Sequence, residues 1–204
     1  MEFKFIQEAG ITIPIPTSYT DCLELLRSDY YRYRQKKSNF FIMFLYALKE
    51  PAFRFQLWLR LGAYKNASPL YFICKVLHRH YMFKYSLIIP TQTKIGYGLF
   101  ISHPAGIIIN PTAVIGNNVN ISQFTTIGSN EGHAAVVGDN VYLGPSVCLV
   151  EDIRIGSNST IGAGTIVTKD IPENSVAVGN PARVIYSTLK SGKYVGNRYP
   201  FKVE

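Results

Sequence analysis

VGDNVYLGPSVCLVEDIRIGSNSTIGAGTIV, residues 137–167, carries an aliphatic side chain at every sixth position: Val137, Leu143, Leu149, Ile155, Ile161 and Val167. Upstream, the same step links Ile95, Ile101 and Ile107, then Ile115, Ile121 and Ile127. All twelve positions are Ile, Leu or Val, and in seven cases Gly follows: Gly96, Gly116, Gly128, Gly138, Gly144, Gly156 and Gly162. Four places after the aliphatic stands another small or aliphatic residue, such as Ala105, Val119, Val141, Val147 or Thr165. A helix of 3.6 residues per turn cannot keep such positions on one face, and a plain strand alternates every two residues. A prism of short strands can. Each strand sends one aliphatic inward, corners separate the strands, and coils stack at about 4.8 Å. Residues from about Ile89 to Val167 therefore read as a parallel β-helix, with the glycines supplying corner dihedrals that a Cβ resists. The alternative is an ordinary β-sandwich with a chance period.

The register breaks twice, with eight residues from Ile107 to Ile115 and ten from Ile127 to Val137. Stacked walls have no room for extra residues, so these excursions bulge outward. The second, residues 129–136, reads as a surface loop, and loops on rigid scaffolds often carry function.

Around the repeat, three regions follow: a mainly helical front (1–86), the β-helix (87–185) and a C-terminal tail (186–204) that reads as poorly ordered from Gly192 to Glu204. In the front, Ser18 and Asp21 resemble a capping box before Leu23, Leu26, Tyr30 and Tyr33, which are spaced at helical intervals. Pro51 and Pro69 are each placed to open a helix. Phe53, Phe55, Leu57, Leu59 and Leu61 instead alternate as in a strand, which leaves that segment open. The fold class is thus mainly β, an all-parallel helix of strands behind an α-helical region.

Hydrophobic residues make up 47% of the chain and charged residues 17%, which excludes a disordered protein. The longest apolar run, residues 40–48, is far short of the ~20 needed to span a bilayer, and the opening residues do not form a signal peptide. Cys22, Cys74 and Cys148 are odd in number and widely spaced, which fits free thiols in the cytoplasm. Residues 1–85 carry 13 Lys+Arg and 6 Asp+Glu, so the net charge of +8 sits mostly in the front. There Tyr30, Tyr31, Arg32, Tyr33, Arg34, Lys36 and Lys37 interleave aromatic and basic side chains. Packing against the β-helix, with Lys and Arg stems covering the rings, is the first reading. Peripheral docking to the inner face of a membrane is the second, and nucleic-acid binding ranks below both and is set aside.

Two histidines fall in the repeat region. His103, two places after inward Ile101, projects outward from a rigid wall, and His133 lies in the ten-residue excursion. A neutral imidazole is the usual base for a hydroxyl nucleophile, and acyl transfer also needs a donor for the developing oxyanion. A merely solvated surface histidine is the competing reading. A zinc centre needs a third ligand, and neither a third histidine nor a cysteine pair is present in the coils, so no metal is expected.

Residues 101–113, ISHPAGIIINPTA, resemble the segment holding the catalytic base of serine O-acetyltransferases, a branch of the hexapeptide-repeat acetyltransferases; on that resemblance His103 is the base. Ile161-Gly162-Ala163-Gly164, Val167-Thr168-Lys169-Asp170-Ile171-Pro172 and Gly179-Asn180-Pro181-Ala182-Arg183 resemble galactoside-type sugar acetyltransferases. Ser28-Asp29-Tyr30-Tyr31-Arg32-Tyr33 and Pro51-Ala52-Phe53-Arg54 are similar to capsule and exopolysaccharide O-acetyltransferases. The resemblance implies a left-handed β-helix, a homotrimer and acetyl-CoA as co-substrate in the groove between prisms. Coenzyme A would meet Gly144, Ala163, Thr168, Lys169 and Arg183, and His133 would assist from across a subunit boundary.

Three departures bear on the acceptor. The serine enzymes carry Asp where this chain has Ser102, an orienting Asp where it has Ile88, and Arg where it has Gly132. Ionic groups suit a zwitterionic amino acid, so their loss points to a sugar or polysaccharide-precursor hydroxyl; Asp21 or Asp29 in the helical front are the replacement charges that a serine pocket would use. Serine, as in cysteine biosynthesis, is the runner-up. A catalytically silent assembly platform is the rival from another class.

Overall fold

The computed structural model describes residues 1–187 and 191–201. Its centre is a three-walled parallel β-helix. The first wall stacks β3 (Leu87–Ile88), β6 (Ile107–Ile109), β9 (Thr126–Gly128), β12 (Cys148–Val150) and β15 (Ile166–Val167). The second stacks β4 (Lys94–Ile95), β7 (Val114–Ile115), β10 (Val136–Val137) and β13 (Arg154–Ile155). The third stacks β5 (Phe100–Ile101), β8 (Asn120–Ile121), β11 (Tyr142–Leu143), β14 (Thr160–Ile161) and β16 (Ser175–Val178), and antiparallel β17 (Arg183–Ser187) caps it. All twelve hexad aliphatics are buried and join one core. Thr125, Ser159 and Thr165 point inward too, and their hydroxyls donate to the Ser122, Pro172 and Gly162 carbonyl oxygens. Those bonds remove the cost of burying the groups unpaired.

The hexad glycines do a different job from the one expected. Among the described residues none of the seven has a positive φ. A Cβ on Gly116 would sit 2.5 Å from the Gly138 oxygen, and one on Gly138 would sit 2.7 Å from the Ser157 nitrogen. At Gly96, Gly116, Gly138, Gly144 and Gly156 the position is thus kept bare by the backbone of the next coil. Left-handed corners fall two residues later, at Gly98, Asn118, Asn140 and Asn158, where asparagine tolerates the conformation.

Four helices cover one end: α1 (Tyr19–Arg34), α2 (Phe40–Lys49), α3 (Pro51–Leu61) and α4 (Pro69–Lys84). The side chains of Ser18, Asn39 and Ser68 accept from the Asp21, Ile42 and Tyr71 backbone N–H groups, capping α1, α2 and α4. The alternating segment is α3. Ala52, Phe55 and Leu59 face the β-helix core, whereas Phe53, Leu57 and Leu61 face the helical layer. A helix buried on two sides interleaves its apolar stripes and so imitates a strand. Each fully buried Phe or Leu there stabilises by about 1.5–3 kcal/mol.

Two further differences concern the ends. Residues 2–15 form a hairpin of β1 (Glu2–Ile6) and β2 (Ile11–Ile15), joined by a single 3-10 turn at Gln7–Ala9. Its Ile6, Ile11 and Ile13 cover the outward Val114 and Val136 of the second wall. The tail expected to be poorly ordered docks: Val195 and Tyr199 are buried, and Tyr199 exchanges two hydrogen bonds with the Asn118 amide. Its hydroxyl donates to Glu24 at 2.7 Å. Residues 188–190 and 202–204 of that segment lie outside the described residues.

Candidate functional site

His103 follows β5 at the corner between the third and first walls, with its side chain exposed. The corner is tight. Ala105 N–H donates to the His103 carbonyl oxygen at 3.0 Å, and Phe124 N–H on the next coil donates to the Ala105 oxygen at 2.9 Å. Gly106 has φ of 62°, and a Cβ there would sit 2.5 Å from the Phe124 ring. Phe124, 57% exposed, therefore lies against the turn that carries His103. Sequence reading missed it. The available signal was an aromatic at a corner position where neighbouring coils place Ser146 and Gly164.

The strand feeding His103 is clamped from the helical layer. The Tyr33 hydroxyl lies 2.6 Å from Gln56 Oε1 and 2.9 Å from the Ile101 oxygen, and Ile101 N–H donates to it at 3.3 Å. Burial holds this phenol well above its usual pKa, so it stays a donor. Gln56 Nε2 donates to the Leu99 oxygen at 2.8 Å. One turn away, the buried Asp29–Arg60 pair closes through two bonds of 2.8 Å, Arg60 donates to the Ile95 and Gly96 oxygens, and Asp29 accepts from Leu99 N–H. Arg32 donates to the Gly98 oxygen at 2.6 Å. The basic and aromatic residues Tyr30, Arg32 and Tyr33 are thus packing groups, while Arg34, Lys36 and Lys37 stay exposed.

Asp21 and Asp29 do not serve as replacement charges. Asp21 is occupied by Thr17 and by the Met1 amino group at 2.9 Å, and Asp29 is fully buried on Arg60. Ile88 stands on the first wall in register with Ile108, and among the described residues no side-chain hydrogen bond orients the His103 ring.

The remaining site residues fall on two edges of the first wall. On the edge with His103 lie Gly144 and Ala163, stacked in consecutive coils: Gly144 N–H donates to the Ile161 oxygen, and a Cβ on Gly144 would meet the Ala163 nitrogen at 2.9 Å. Arg183 follows the turn that closes this edge. On the opposite edge lie His133, Thr168 and Lys169, because each follows a first-wall strand and precedes the second wall. Within one chain the two groups do not meet. Three coils separate His103 from Ala163, about 14 Å at the strand spacing.

The His133 loop is held in shape by Glu151. Its carboxylate accepts from Ser129 Oγ at 2.6 Å and from Asn130 N–H at 3.0 Å, and the Ser129 bond, with those from Asn130 and Glu131, lowers its pKa. Ala134 N–H donates to Thr112 Oγ1. Between the two edges lies a depression of about 580 Å³, lined by Ile88, Ile108, Thr126, Ser129, Cys148 and Glu151. Among the described residues no three His, Cys, Asp or Glu side chains are grouped to hold a metal.

Residues 134–169, within the stacked hexads of the prism, match the family described as Bacterial transferase hexapeptide (six repeats). The chain resembles serine acetyltransferases in particular. It is 42% identical over 96 residues to serine acetyltransferase 3, mitochondrial, of Arabidopsis thaliana, covering 45% of this chain and 25% of that protein. The serine acetyltransferase of Brucella abortus strain S19, solved also in complex with coenzyme A, superposes with a TM-score of 0.70 at 25% identity, over 83% of this chain and 70% of that one. That of Neisseria gonorrhoeae, solved in complex with serine, gives 0.66 at 28% identity, over 80% and 69%. The chain spans a quarter of the plant protein's length and 64% of that of the Bacillus licheniformis serine acetyltransferase. These relatives are named for serine, the runner-up acceptor, rather than for the sugar acceptor expected from the lost ionic groups at Ser102, Ile88 and Gly132.

Proposed function

We propose that this protein moves the acetyl group of acetyl-CoA to a hydroxyl, with His103 as general base and serine as the acceptor its relatives point to. The observation that carries the reading is the edge shared by His103, Gly144 and Ala163. It pairs a base on a rigid corner with the exposed small residues Ala163 and Gly164, along which an extended pantetheine arm can lie. The imidazole takes the hydroxyl proton as the oxygen attacks the thioester carbonyl. The tetrahedral intermediate then expels the coenzyme A thiolate, which recovers that proton from the imidazolium. Phe124 forms one side of the acceptor pocket.

Thr168, Lys169 and His133 complete the groove from a neighbouring subunit. Support for a trimer comes from the first wall, whose outward Ile88, Ile108, Thr126, Cys148 and Ile166 stack in register as an uncovered, mostly apolar strip between the two edges. Threefold packing covers such a strip and brings one chain's His103 edge to the next chain's Lys169 edge.

A neutral, multi-hydroxyl acceptor is the second reading. It is favoured by Ile88, Ser102 and Gly132, and by the engagement of Asp21 and Asp29 elsewhere, because a serine pocket must pair an ammonium and a carboxylate. A competition assay with acetyl-CoA, free serine and a panel of sugars and oligosaccharides separates the two. Serine gives the highest kcat/KM on the first reading, and a sugar outrunning it transfers the assignment to the second.

A further inference from the structure

The 10-residue α2, FFIMFLYALK, buries Met43 and Ala47 and packs Phe44 and Tyr46 beside them on its inner face. Phe41, Ile42, Leu45 and Leu48 are 67%, 46%, 43% and 55% exposed. Phe41, Leu45 and Leu48 repeat at i, i+4 and i+7, so they share one outer stripe. Exposed Arg34, Lys36 and Lys37 precede the helix and Lys49 ends it. Between Asp29 and Glu131 the sequence holds 12 Lys+Arg and a single acidic residue, Glu50, at the end of α2.

We propose that the outer face of α2 docks on an anionic lipid surface, with Phe41, Ile42, Leu45 and Leu48 entering the headgroup boundary and Lys36, Lys37 and Lys49 meeting lipid phosphates and carboxylates. The pairing of features selects this occupant. Nucleic acid satisfies the cations but leaves four large apolar side chains facing phosphate. A second copy docked on the same face covers the apolar stripe but brings Lys36, Lys37 and Lys49 against their equivalents, with Glu50 alone to offset them. An amphipathic helix lying in an interface, apolar stripe down and lysines at its borders, satisfies both sets of groups. Arg34 already stacks over Tyr46, 5.7 Å from the ring centre, which holds its charge beside the patch.

The test is flotation of the full chain with vesicles of phosphatidylcholine alone and of phosphatidylcholine with phosphatidylserine, at low and high salt. The expected result is binding to the anionic vesicles only, weakened by salt. Lys36→Gln with Lys37→Gln touches no packed group and lowers partitioning about thirtyfold, as about 1 kcal/mol for each of the two lost charges predicts. Phe41→Ser with Leu45→Ser, checked for folding by circular dichroism, abolishes it. Equal flotation with neutral and anionic vesicles, or wild-type partitioning by either variant, overturns the proposal. So does a shift of a duplex DNA probe without vesicle binding, or a change of solution mass in the Phe41→Ser variant without vesicle binding by the wild type.

Discussion

The Tyr33 hydroxyl and the backbone oxygen of Ile101 are 2.9 Å apart, which ties helix α1 to the strand that ends two residues before His103. Because Tyr33 also receives Ile101 N–H and reaches Gln56, three polar groups inside the molecule depend on one hydroxyl.

Tyr33→Phe keeps the ring contacts with Phe53 and Phe100 but leaves those groups short of a partner. The expected cost is about 1–3 kcal/mol, read as a lower urea midpoint at unchanged m. Turnover falls roughly several-fold because the base loses its anchor, while affinity for coenzyme A holds. Wild-type stability in the variant contradicts the clamp.

A pH dependence follows from His78. Its Nε2–H donates to the Ile89 oxygen at 3.0 Å where α4 meets β3, and burial lowers the imidazole to about 4. The unfolded chain takes up its proton near pH 6.5 and the folded one only near 4, so the unfolded state binds more protons in between. Stability present above about pH 6.5 is lost as pH falls towards 4, by up to about 3 kcal/mol. His78→Gln keeps a donor for Ile89 without titrating, so denaturation curves at pH 7 and pH 4.5 differ less for it than for the wild type. Equal losses in both proteins assign the acid sensitivity to other groups.

The hexads made the β-helix legible because coil stacking demands the same inward side chain every six residues, and Ile95 through Val167 obey it. The glycine role was misread since sequence reports a missing Cβ but not whether φ or the coil above requires it; at Gly116 it is the coil. Phe53 to Leu61 was ambiguous because α3 is buried on two sides. The hairpin was missed although Ile11, Ile13 and Ile15 alternate, and the docked tail was missed although Tyr199 and Phe201 signalled packed rings. The edge assignment of His103 and Lys169 needs the order of the walls, which spacing alone leaves open.

Coenzyme A affinity tests the cations on the two edges. Lys169→Ala combined with Arg183→Ala removes two charges suited to its phosphates, and the dissociation constant should rise about tenfold or more. Light scattering should give three times the 22.9 kDa chain. An unchanged constant displaces the site, and a monomer leaves the two edges without a partner.

The most direct test of the account is release of the coenzyme A thiol from acetyl-CoA, followed with serine as acceptor in the wild type and in His103→Ala. A positioned base contributes about 10²–10⁴ in rate, so the variant should lose that much turnover while binding coenzyme A normally, and His133→Ala should lose less. Full turnover by His103→Ala contradicts the account and moves the base elsewhere.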